Sequence, residues 1–148
     1  MHARGTLVVA FALLLAAANA CAEEIAVIVH PARAANLDAD ELAQIYLKQR
    51  RYWGDGARIV PVNHGSTSAL RDAFARAVLA LTPEQLSRYW NRQYFEGVLP
   101  PATLASDEAV LRFVAGEKRA IGYVRASAVN SSVRVVLRLQ SEAPEQRR

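Results

Sequence analysis

Apolar residues recur along this chain with two different periods, and the changes of period mark out its elements. Ile25-Ala26-Val27-Ile28-Val29 is apolar throughout and rich in β-branched residues. That is the pattern of a strand covered on both faces. His30-Pro31 closes it, because proline has no N–H for a ladder. The period then becomes helical. Asp38 with Glu41 three residues on forms a capping box, and Leu42, Ile45 and Tyr46 share one face. Gln49 to Gly56 reads as a basic and aromatic loop in which Trp53 anchors packing. Arg58 to Val62 is a second strand.

A polar turn, Asn63-His64-Gly65-Ser66-Thr67-Ser68, follows that strand. Gly65 turns the backbone without a Cβ penalty, and one of Ser66, Thr67 and Ser68 caps the next helix. Leu70, Phe74, Ala77, Val78 and Leu81 form its buried stripe, with Arg71, Asp72 and Arg76 on the solvent side. Thr82-Pro83-Glu84-Gln85 opens a further helix with a capping box and a proline in its first turn. Leu86, Tyr89, Trp90 and Gln93-Tyr94 make its inner face. Gly97 and Pro100-Pro101 end it in an extended loop.

Ser106 caps a helix that buries Val110, Leu111 and Val114 and stops at Gly116. Ala120 to Val124 is a buried strand in which Gly122 admits a close neighbour. A short turn, Arg125 to Val129, leads to Val133–Gln140, an edge strand with one wet face. Residues 141–148 read as a polar, disordered tail.

The N-terminus changes what the composition means. Arg4, the apolar run Leu7 to Ala18 and the small residues Ala20 and Ala22 have the layout of a secretory signal peptide over residues 1–22. Cleavage after Ala22 gives an exported, periplasmic protein, while cleavage before Cys21 gives a lipoprotein. Cleavage after Ala22 removes the only cysteine, so the mature domain, residues 23–140, relies on an ordinary packed core. No other apolar run is long enough to span a bilayer. The formal charge of +4 falls to +3 once Arg4 is gone. The basic residues are interleaved with acids, which argues against nucleic acid.

Candidate chemistry narrows to the turn. A helix start leaves backbone N–H groups unpaired under a partial positive charge, and a small anion satisfies them. Asn63, His64, Gly65, Ser66, Thr67 and Ser68 are therefore the candidate ligand-binding residues. Catalysis is not expected. Ser66, His64 and Asp72 assemble only on paper, and no Gly-x-Ser-x-Gly elbow is present. No metal-ligand spacing and no cofactor motif appears.

Three segments carry a resemblance. Ile45-Tyr46-Leu47-Lys48-Gln49-Arg50-Arg51-Tyr52-Trp53-Gly54-Asp55-Gly56 looks like an Ile-Phe/Tyr-Leu-Gly-Lys-x-x-x-Trp-x-Asp stretch. Ile59 to Ser68, then Phe74, looks like a strand, a Gly-Ser-Gly-Thr anion loop and a helix. Ala120-Ile121-Gly122-Tyr123-Val124 resembles Gly-Ala-Ile-Gly-Tyr-Val. All three, in this order, belong to the phosphate-binding proteins of ABC transporters. The resemblance implies an α/β lobe of the type 2 periplasmic binding protein fold, a mixed β-sheet flanked by helices. It implies a small inorganic oxyanion such as phosphate as ligand, and an ABC permease or another periplasmic protein as partner. The alternative is a single-lobe interaction or sensory module with no transport role.

The departures are specific. Full-length members are about twice this size. Val62 and His64 stand where the family usually has an arginine and an aspartate, and Thr67 and Ser68 replace the last glycine and threonine of the loop. The resemblance gives that aspartate the hydrogen of a protonated phosphate. With His64 there instead, the resemblance does not imply discrimination between phosphate and sulfate.

Overall fold

The computed structural model describes residues 23–141. The expected leader, residues 1–22, and all but the first residue of the expected tail lie outside them. The chain runs β1 (Glu24–Val29), α1 (Ala39–Tyr46), β2 (Val60–His64), α2 (Ala69–Phe74), α3 (Pro83–Phe95), β3 (Ala102–Leu104), α4 (Asp107–Gly116), β4 (Ala120–Arg125) and β5 (Arg134–Gln140). A π-helical turn, Ala75–Leu79, continues α2. The expected α/β class is the observed one.

The five strands form one mixed sheet in the order β3-β2-β4-β1-β5. β2 is parallel to both β3 and β4, while β1 is antiparallel to β4 and β5. β1 is an interior strand, between β4 and β5, and it is buried on both faces, as its apolar run requires. Its period-two geometry sends Ile25, Val27 and Val29 into one core, with α1, α2, Ile121 and Tyr123. Ala26 and Ile28 enter a second core against α4, with Val62, Ala120 and Val124.

The helix starts are those the caps dictate. Asp38 and Thr82 form complete capping boxes, and Ser68 and Ser106 accept from the N–H groups of Arg71 and Ala109. Trp53 is a packing anchor. It is buried, its indole N–H donates to the Arg119 carbonyl at 3.0 Å, and the Arg33 guanidinium lies 4.6 Å above its ring.

Five expectations need correction. β2 begins two residues later than the apolar pattern placed it and reaches His64, because its parallel neighbour β3 holds Asn63 and His64 in register. That neighbour, only three residues long, replaces part of the expected loop after Pro100-Pro101. The stripe after Phe74 shifts: Ala75 and Val78 are buried, and Ala77 is exposed. A π-turn carries more residues per turn than the 3.6 assumed, and Ala80, at φ 51°, stops the helix before Leu81. In α3 only Leu86 is buried, and Tyr94 is exposed. Ser141, the first residue of the expected tail, is buried and bonds the Glu23 carbonyl through both its N–H and its hydroxyl.

Gly122 is the tightest point between sheet and helix. A Cβ there meets Val110 Cγ1 at 2.7 Å, Val62 Cγ2 at 3.1 Å and Val114 Cγ2 at 3.2 Å. These are stiff, buried β-branched side chains. Gly122→Ala is therefore expected to destabilise the fold by about 1–3 kcal/mol. Gly54→Ala, whose Cβ meets nothing within 4 Å, is expected to stay within about 0.5 kcal/mol of the parent. Urea unfolding of both variants checks this.

Candidate functional site

The carboxyl ends of β2 and β3 each run into a helix start, α2 on one face of the sheet and α4 on the other. In open α/β sheets this edge is where ligands bind. Here the edge is pinned from below by three aromatic rings. Tyr123 stacks on Phe74 with centroids 3.8 Å apart and planes 2° from parallel, and Tyr46 meets Phe74 edge-on at 4.7 Å. The Tyr46 hydroxyl donates to the Val62 carbonyl at 2.9 Å, and the Tyr123 hydroxyl donates to Asn63 Oδ1. Burial pushes both phenols above their ordinary range, so both stay protonated donors.

Those bonds decide what Asn63 and His64 offer. Asn63 Oδ1 accepts from the Tyr123 hydroxyl and from the His64 N–H at 2.9 Å. Its amide nitrogen has no protein acceptor among the described residues, leaving two N–H donors at the edge. His64 is 4% exposed, and its Nε2 lies 2.8 Å from the Tyr123 carbonyl. A carbonyl only accepts, so Nε2 carries a hydrogen and spends it there. Asp107 Oδ1 is a further 3.7 Å from the same nitrogen, too far to share that hydrogen. The other Asp107 oxygen pairs with Arg125 Nη1 at 2.8 Å, and Oδ1 stays buried without a hydrogen-bond partner.

The turn itself is open. The Ser68 N–H closes on the Gly65 carbonyl at 3.0 Å, the Arg71 N–H goes to Ser68 Oγ at 3.3 Å, and the helical ladder begins with the Asp72 N–H on the Ser68 carbonyl. The N–H groups of Ser66, Thr67 and Ala69 have no protein acceptor among the described residues, and all three residues are exposed. Gly65 does not have the left-handed backbone its role in a tight turn suggested. Its lack of a side chain leaves open space instead, since a Cβ there meets nothing within 4 Å.

Arg71 is the residue the sequence pattern misplaced. It lies off the apolar stripe, yet its guanidinium folds back over the turn and donates to the His64 carbonyl at 3.1 Å. It lines a 360 Å³ cavity together with Ser66, Leu86 and Trp90. Asp72 lines the same cavity and offsets part of that charge. The clue in the sequence was position: Arg71 follows the Ser68 cap by three residues, close enough to reach back over it. Among the described residues no group of three His, Cys, Asp or Glu side chains is arranged to hold a metal, and no helix is long and apolar enough to cross a membrane.

This frame of mixed sheet, aromatic floor and open turn has relatives among solved structures. A Clostridium perfringens protein assigned as a phosphate ABC transporter substrate-binding protein, solved with bound phosphate, matches 77% of this chain at 26% identity and a TM-score of 0.61. The chain is built like a periplasmic phosphate-binding protein, over less than half of one. It spans 44% of the Clostridium protein. An ABC-type phosphate transport receptor from Vibrio cholerae matches 77% of this chain, and 45% of its own length, at 22% identity and a TM-score of 0.64. PstS from Borrelia burgdorferi matches 77% of this chain and 46% of its own, at 16% identity and a TM-score of 0.60. The latter two establish likeness of fold. No protein-family model and no curated protein matches the sequence.

Tyr123→Phe keeps the ring stack and removes one hydrogen bond. It is expected to cost about 1 kcal/mol in urea unfolding. The Asn63 side-chain amide resonances are expected to broaden or shift, because one of the two bonds fixing its orientation is gone.

Proposed function

We propose that this chain is an exported solute-binding protein that holds phosphate or a similar oxyanion at residues 63–68, with Arg71 as its cation. The observation that carries the reading is the pair of exposed, unbonded amides of Ser66 and Thr67 on a turn whose base, the His64 carbonyl, holds the Arg71 guanidinium. The hydroxyls of Ser66, Thr67 and Ser68 and the Asn63 amide nitrogen add neutral donors. An arginine with several N–H donors suits an oxyanion's geometry and charge. His64 stays outside the donor set, because its Nε2 hydrogen is spent on Tyr123. The phosphate in the Clostridium structure favours phosphate as the first ligand to test.

Affinity is expected to be low, roughly millimolar. Asp72 opposes an anion in the cavity, and the chain spans less than half the length of its structural relatives. Export through a leader at residues 1–22, a periplasmic location and service to an ABC permease belong to the same reading. They rest on the N-terminal pattern and on the relatives' described roles. A binding role without catalysis belongs to the same reading, and the relatives' described roles support it. One observation favours the second reading, an interaction module. Tyr94, Phe95 and Leu99 are 65%, 89% and 62% exposed, around the end of α3, an apolar surface suited to a protein partner.

Calorimetric titration with phosphate and with sulfate tests the first reading. Saturable phosphate binding is expected, weakened about tenfold in Arg71→Gln by loss of one charge-assisted contact. No heat and no thermal shift at millimolar phosphate overturns it. Capture of a partner that Phe95→Ser abolishes then favours the second.

A further inference from the structure

A second concave site lies at the other end of β2. β2 is five residues long, so its ends are roughly 13 Å apart, and this site is separate from the Gly65 turn. It is a 320 Å³ cavity between the end of α1, the start of β2 and the loop after α3. Its walls are apolar, with Ile45, Ile59 and Pro61 buried behind it and Leu99 at its rim. Its charged lining has one sign: Lys48, Arg50, Arg51 and Arg58.

Among the described residues, only one of those four charges is matched. Arg50 pairs with Glu41 at 2.9 Å. Among the described residues, no Asp or Glu oxygen lies within 4.0 Å of the charged nitrogens of Lys48, Arg51 or Arg58. Arg51 is held in place, its Nε donating to the Lys48 carbonyl at 3.0 Å, which leaves its terminal nitrogens free. Three cations sharing one cavity repel each other, and burial with Arg58 and Arg51 nearby lowers the Lys48 pKa below its usual range.

The backbone adds an independent observation. Lys48 has φ 60°, the left-handed region that glycine occupies cheaply and a lysine does not. It follows the α1 C-cap Leu47, where helices commonly place glycine. The chain therefore holds a strained residue whose side chain lines a cation-rich pocket. Ala80 has a similar backbone where it merely ends the π-turn, but at Lys48 the strained residue also lines the pocket, and that coincidence points to function.

We propose that this cavity is a binding site for a small polyanion carrying three or more negative charges, of the polyphosphate class. Lys48, Arg51 and Arg58 neutralise it, and the apolar wall excludes water from one side and strengthens those contacts. A cavity of 320 Å³ is large enough for such a ligand.

The test titrates the purified protein with inorganic tripolyphosphate at low salt, by calorimetry and by amide chemical shifts, with acetate as a singly charged control. Saturable binding with shifts at residues 48–51, 58–59 and 97–99 is expected, and none with acetate. Lys48→Gly and Arg58→Gln should each weaken binding about tenfold. Lys48→Gly should also raise the urea midpoint, since it removes the left-handed strain, so loss of binding cannot be put down to misfolding. Three outcomes overturn the proposal: no saturation, unchanged affinity in both variants, or shifts confined to residues 65–71. The two shift clusters are read separately, so failure here and failure of phosphate binding at the turn are told apart.

Discussion

The flat contact between Tyr123 and Phe74 governs how the upper edge of this molecule is arranged. It ties β4 to the helix that follows the turn, and Tyr46 wedges α1 against the same pair. Each hydroxyl then grips β2 near its end, one on a carbonyl and one on the Asn63 side chain. Four elements are thereby fixed around the last residues of one strand. Buried phenols need partners, so the stack also settles which way Asn63 points and what His64 has left to give. The turn beyond inherits a rigid base while contributing little of its own to it.

That arrangement also explains why the site is spare. Donors at the edge are backbone amides, hydroxyls and one side-chain amide, with a single cation reaching over. Charge on the opposite side of the strand ends is already spoken for, because Arg125 is held by Asp107 and Glu23. Structural relatives extend over more than twice the length matched here, and this chain presents its donors from one side of an open edge.

Much of the scaffold was legible in the sequence, because its signals are local and physical. The unbroken run at Ile25–Val29, the boxes at Asp38 and Thr82, and Gly122 between bulky neighbours each had one reasonable reading, and each has it in space. The misses share a different cause. The π-turn after Phe74 breaks the assumed helical period, so the pattern puts Ala77 on the wrong face and carries the helix on to Leu81, beyond its end. β3 is too short to show a period at all. At the candidate site the turn and its Ser68 cap were readable from residue types. The inward fate of His64 was not, nor was the return of Arg71 over the turn. Both depend on partners far along the chain or on side-chain reach, which spacing alone does not encode.

α3 carries a consequence for the molecule as a whole. It buries only Leu86 and is tethered by the Tyr89 hydroxyl on the Leu47 carbonyl, so it has the thin attachment of a segment that opens ahead of global unfolding. Its residues wall the hollow beside the turn, the loop that follows it walls the cation-rich hollow, and Pro100 borders both. The two hollows therefore do not have independent shapes. A detachment of this thinly held helix would reshape both together, and a guest that steadied the helix from one side would be expected to steady the other hollow as well.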